Sequence, residues 1–101
     1  MLRKVVLSKI AERKLEKLLY YLESNWSEKI KLNFVRKLEK RLLLVQQRPQ
    51  AFVSSKIKNG LHKCVITRQT SMFYTFDENT IYILTFFDSR QDPESLQFEL
   101  E

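Results

Sequence analysis

The chain is poor in side chains that usually make and break bonds and rich in those that hold anions. It has one histidine, His62, and one cysteine, Cys64, among 101 residues. One His and one Cys cannot build a classical zinc site, and a lone Cys cannot form an internal disulfide. No nucleophile and base stand at a spacing suited to covalent catalysis, and there is no Gly-rich phosphate loop. Cations remain. Residues 1–68 carry 17 Lys and Arg against five Asp and Glu, a net of +12, whereas residues 69–101 carry only Arg90 against seven acids, a net of −6. A basic region of that strength attracts polyanions, either nucleic acid or an acidic partner protein. Lys and Arg that merely solvate helix faces give the same count, so charge alone does not decide.

The elements that must carry these cations follow from periodicity. Residues 3–7 are short, β-branched and apolar, and read as a strand. Ser8 offers a helix N-cap, after which Ala11, Leu15, Leu18, Leu19 and Leu22 recur at helical spacing as far as residue 23. Ser27 and Glu28 start a second helix with the stripe Ile30, Phe34, Val35, Leu38, Leu42 and Val45, and Pro49 stops it. So short a break makes an antiparallel helix hairpin. Trp26, in the break, reads as a staple packing the hairpin turn, with a partner contact as the alternative. Residues 50–61 read as an irregular connection with turn signals at Ser54-Ser55 and Asn59-Gly60. Residues 62–68, 71–76 and 80–87 are strand-like and separated by hairpin-sized gaps, which makes an antiparallel meander. One face of the sheet covers the helix hairpin, giving an α+β fold in two layers. The acidic tail from residue 88 onward is expected to end in a short helical turn.

The length allows one domain, residues 1–101, with one modest core. At 44% apolar and 30% charged residues the composition is that of a folded soluble chain rather than a disordered one. The longest nearly apolar run, residues 81–87, is too short to span a bilayer, and the N-terminal residues do not form a signal peptide. With a single cysteine, these features fit a reducing cytoplasm.

The order strand, helix hairpin, loop, three-stranded meander resembles the ParE/RelE toxin family. More specific is the ending Ile83-Leu84-Thr85-Phe86-Phe87-Asp88-Ser89-Arg90-Gln91-Asp92-Pro93, which looks like the family's last strand running into a Phe-Asp-x-Arg-Gln-x-Pro signature. Asn59-Gly60-Leu61-His62-Lys63-Cys64-Val65-Ile66 resembles the entry to its second strand. Phe73-Tyr74 resembles its aromatic third strand, and Pro49 falls where a family proline does. The resemblance implies a bacterial growth inhibitor of the plasmid-stabilisation type, silenced by a cognate antitoxin. It also implies one of two mechanisms: RelE-like members enter the ribosome and cut mRNA, and ParE-like members poison DNA gyrase without catalytic side chains.

Cutting RNA through its 2′-hydroxyl needs a base, cations around the pentacoordinate phosphate, and an acid for the leaving oxygen. The resemblance places Lys63 on the first sheet lysine of RelE-like toxins and Arg90 on the arginine after the last strand. It places Val65 and Ser71 where further cations belong, and no tyrosine follows Pro93. His62 and Lys63, adjacent on a strand, point to opposite faces, so His62 reads as a surface or edge residue without chemistry. Arg90 has a structural alternative, pairing with Asp88, Asp92 or a carbonyl. Arg68, Lys56 or Lys58 are possible substitutes for the missing cations. The set for mRNA cleavage is depleted, which favours a gyrase poison in which Lys63, Arg68 and Arg90 are target or phosphate contacts. The alternatives are a ribosome-dependent endoribonuclease using Lys63 and Arg90, and a general nucleic-acid-binding module. The expected partners are an antitoxin with an acidic segment that folds on binding, and DNA gyrase or ribosome and mRNA. No cofactor, metal, membrane or small-molecule substrate is expected.

Overall fold

A computed structural model of the chain describes residues 2–55 and 58–90. Lys56, Gln91, Asp92, Pro93 and the expected helical turn of the tail lie outside the described residues. The chain begins with β1 (Lys4–Leu7), then α1 (Lys9–Asn25) and α2 (Glu28–Gln47). A single 3₁₀ turn, Pro49–Ala51, leads to β2 (Val53–Ser54), and β3 (His62–Val65), β4 (Thr70–Phe76) and β5 (Thr80–Asp88) follow. The five strands lie in the order β1-β5-β4-β3-β2. β3, β4 and β5 form the antiparallel meander, while β1 pairs parallel to β5, with Leu7 opposite Ile83. The sheet is therefore mixed, because α1 and α2 carry the chain between β1 and the rest as a crossover connection.

Both helices start where a serine can cap them. Ser8 accepts from the Ala11 amide at 3.0 Å and Ser27 from the Ile30 amide at 3.1 Å. Their stripes (Ala11, Leu18 and Leu22 on α1; Phe34, Leu38 and Val45 on α2) bury against Cys64, Ile66, Met72, Tyr74, Ile81, Ile83 and Phe86 of one sheet face. A second, smaller cluster of Leu61, Phe73, Leu84 and Phe87 covers the opposite face.

Three expectations need correction in and beside the connections. Residues 50–61 are not wholly irregular: the 3₁₀ turn is tied to the core where the Tyr74 hydroxyl donates to the Pro49 carbonyl at 2.6 Å, and Val53 then pairs with Lys63. Trp26 is not a packed staple. It is 60% exposed, and what closes α1 is its backbone amide, which donates to Leu22 O at 3.1 Å. The strand expected over residues 62–68 ends at Val65, because the amides of Ile66 and Thr67 both turn onto the Thr70 carbonyl. Among the described residues, Gly60 alone takes a positive φ, +78°, in the turn before β3.

Candidate functional site

β5 sets where the signature residues point. Ile83 is opposite Tyr74 and Thr85 is opposite Phe73, so Leu84 between them has no partner on β4. This bulge shifts the alternation by one residue. Ile81 and Ile83 face the helices before it, and Phe86 faces them after it. Asp88 consequently lies on the helix side, where its carboxylate accepts from the Thr70 hydroxyl.

Asp88 organises the corner. Its Oδ1 accepts from the Arg90 amide at 2.9 Å and from Arg90 Nε at 3.0 Å, and its Oδ2 accepts from Arg90 Nη2 at 2.7 Å. The two-pronged guanidinium–carboxylate geometry is the strong form of the ion pair. Burial pushes the Asp88 carboxyl up, but the Arg90 and Thr70 hydrogen bonds outweigh it and hold the group below the ordinary carboxylate range. The hydrogen bond to Asp88 likewise raises Arg90 above its usual value. Of the partners the sequence offered for Arg90, Asp88 is the one it takes among the described residues, and Asp92 lies outside them.

The three sequence candidates do not form one cluster. Arg90 lines a cleft of about 190 Å³ together with Phe34, Lys37, Thr67 and Gln69, on the helix side of the sheet. Arg68 is exposed in the β3–β4 turn at the same end, where the Ser89 amide donates to Gln69 O at 2.9 Å. Lys63 is exposed on the opposite sheet face, level with Phe73 in the register. His62, as its place on the strand requires, points the other way. It is half-buried rather than a surface residue, with its ring 5.5 Å from Tyr74 and 5.3 Å from Phe76. Its Nδ1 sits 3.1 Å from the Phe52 carbonyl, a role for a proton-bearing Nδ1 in packing. Lys58 is exposed in the turn before β3, its carbonyl accepting from the Leu61 amide.

The sequence marks the helix pair as basic and suited to an acidic partner, without singling out the cations of α2. Lys37, Lys40 and Arg41 line a groove of about 510 Å³ with Leu44 and Ile66. Their i, i+3, i+4, i+7 spacing was visible in the sequence as one helix face. Only the position of Ile66, just after β3, beside that face makes it a groove.

Comparison with known proteins agrees with this layout. The family model described as the ParE toxin of the type II toxin–antitoxin system, parDE, matches residues 5–93. No curated protein matches in sequence. Among solved structures, the fold is similar to a chain of the chromosomal ParDE system from P. aeruginosa, with TM-score 0.69 and 14% identity over 86% of this chain and 96% of that one. It is similar to the E. coli toxin RelE in its free state, as a mutant, with TM-score 0.64 and 13% identity over 98% of this chain and 94% of that one. It is also similar to YoeB from Staphylococcus aureus, with TM-score 0.62 and 18% identity over 86% and 97% of the two chains. At these identities the structures speak for the fold, and the match over residues 5–93 speaks for the family. The chain belongs to the ParE toxin family of type II toxin–antitoxin systems.

Proposed function

We propose that this toxin arrests growth by binding and poisoning DNA gyrase, and that a cognate antitoxin silences it. The observation that carries the gyrase reading is the separation of Lys63 from Arg90 by the sheet. A nuclease must surround one phosphate with its cations and place a base within hydrogen-bond reach of the 2′-hydroxyl. Here the guanidinium of Arg90 is engaged by Asp88, the His62 ring is packed against Tyr74, and Lys63 has Val65 rather than a second cation as its neighbour along that face. A protein that acts by occupying a surface on its target needs none of these groups to converge.

Ribosome-dependent mRNA cleavage is the second reading. The observation in its favour is the cleft of about 190 Å³ that Lys37 and Arg90 both line, where two cations could share a phosphate. A pulse-label time course after inducing the chain without its neighbouring gene separates the two. DNA synthesis failing first supports the gyrase reading, and protein synthesis failing first overturns it.

A further inference from the structure

We propose that the exposed face of α2 binds duplex DNA, lying in the major groove with one row of cations toward the phosphates of each strand. The proposal goes beyond the gyrase reading and is tested apart from it.

The arrangement of charge on α2 carries the proposal. Successive side chains advance about 100° round a helix. Lys29, Arg36 and Lys40 therefore fall within an arc of about 40°, and Lys37 and Arg41 form a second row about 100° away. All five are exposed, and among the described residues no carboxylate forms an ion pair with any of them. Arg36 reaches the neutral amide of Asn33 at 3.5 Å. The two acids of the helix, Glu28 and Glu39, lie about 90° the other way, toward the flank where Lys31 pairs with Glu23 of α1. A merely solvated face alternates its signs, whereas this one keeps them apart.

The geometry selects among polyanions. A helix with its side chains is about 10–12 Å across and the major groove of B-DNA about 12 Å wide, so rows on either side of the ridge face two strands. Cations one turn apart stand about 6 Å apart, and each strand offers a phosphate about every 3.4 Å, so each cation takes its own. Duplex RNA does not fit, because its major groove is too deep and narrow to admit a helix. Unpaired strands are held by stacking on exposed aromatics, but the one aromatic of α2, Phe34, is buried in the core. An acidic peptide presents its carboxylates along one line and meets one row, not two. Leu44, 46% exposed between the rows, faces the groove floor, where a thymine methyl gives it an apolar partner.

The test measures fluorescence anisotropy of a short labelled DNA duplex with the full chain, between about 50 and 200 mM salt. Five phosphate contacts predict a log–log salt slope of about −4.5 and an affinity loss of about 500-fold over that range. Lys37→Gln/Arg41→Gln should make the slope shallower by about 2, and Lys29→Gln/Arg36→Gln/Lys40→Gln by about 3. Lys9→Gln/Arg13→Gln/Lys17→Gln removes three exposed cations from α1 instead and should leave the slope unchanged. Melting curves confirm that each variant folds. The proposal is overturned by no binding at low salt, by a slope near −1, or by equal losses in the α1 and α2 variants. Tighter binding to a single strand or to duplex RNA, or displacement of the DNA by polyglutamate at equal charge, overturns it too. Each of these failures leaves the gyrase reading standing, because the order in which DNA and protein synthesis fail is measured separately.

Discussion

The Ser8 hydroxyl donates to the carbonyl of Leu84 at 2.7 Å and at the same time accepts from the Ala11 amide at 3.0 Å. Leu84 is the bulge residue of β5, and its carbonyl is out of register with β4. The same serine thus starts α1 and satisfies the irregularity that turns Phe86 and Asp88 toward the helices. With the Ser8 amide on Ile83 O at 2.9 Å, the joint between β1 and α1 is locked onto the middle of β5.

Replacing Ser8 with alanine removes the cap and leaves the Leu84 carbonyl without this donor. Loss of an N-cap costs about 1 kcal/mol and loss of the carbonyl's partner about as much again. Ser8→Ala is expected to lower the melting temperature by roughly 8–15 °C, at about 4–8 °C per kcal/mol for a domain of this size. A melt within about 2 °C of wild type would mean that water serves both groups equally well.

The cap was legible in the sequence, and the bulge was not. Ser8 stands before an unmistakable helical stripe, but residues 80–87 are apolar on both sides, so alternation cannot reveal where their phase changes. The same blindness affected the site. Arg90 could be singled out from the signature, yet the face it occupies depends on Leu84. Trp26 misled for a different reason: an aromatic in a short turn is indistinguishable by composition from one that packs there. The groove beside α2 was half visible, since the spacing of Lys37, Lys40 and Arg41 is local while Ile66, which lines its other side, comes from distant chain.

The Asp88–Arg90 pair gives a pH prediction. The folded carboxyl titrates below its ordinary value, so its contribution is present above the unfolded pKa of about 3.9 and is lost as pH falls through the folded value. Asp88→Asn is expected to cost about 2 kcal/mol near neutrality, discounted because Arg90 retains some solvent contact. Urea titrations of both proteins from pH 7 downward should show that gap closing below about pH 4. A gap independent of pH would assign the loss to packing rather than to the carboxylate.

Cys64 is fully buried in the core, and burial pushes its thiol up to about 11. Its raised pKa contributes stability that is intact below the unfolded value of about 8.5 and declines as pH rises through the folded one. Native protein is therefore expected to react with an aromatic disulfide reagent at least about a thousandfold more slowly than protein in urea, since attack requires the thiolate and an open path. Comparable native and denatured rates at pH 8 would show that β3 opens readily beside α2.

Tyr74 and Pro49 supply a further measurement. The hydroxyl reaches the Pro49 carbonyl at 2.6 Å inside the core, and burial raises its pKa. Tyr74→Phe leaves that carbonyl unsatisfied and should cost about 1–3 kcal/mol. The effect should be felt most by the 3₁₀ turn and β2, seen as faster hydrogen exchange at Val53 and Ser54.

The functional candidates are separated by comparing substitutions on the two sheet faces. Lys63 is exposed and Arg90 is held by Asp88, so their losses should differ in kind. Lys63→Ala is expected to leave stability within about 0.5 kcal/mol of wild type. Under the gyrase reading with Lys63 as a target contact, its toxicity on plates should fall although the protein stays folded, and unchanged toxicity would remove Lys63 from the contact surface. Arg90→Ala should destabilise the corner by removing the partner of a buried carboxylate, and its toxicity should fall in step with the folded fraction. A soluble, fully folded Lys63→Ala/Arg90→Ala protein that has lost both toxicity and inhibition of translation in a cell-free extract would support ribosome-dependent cleavage. The same protein still arresting DNA synthesis would place the action on a surface that needs neither residue.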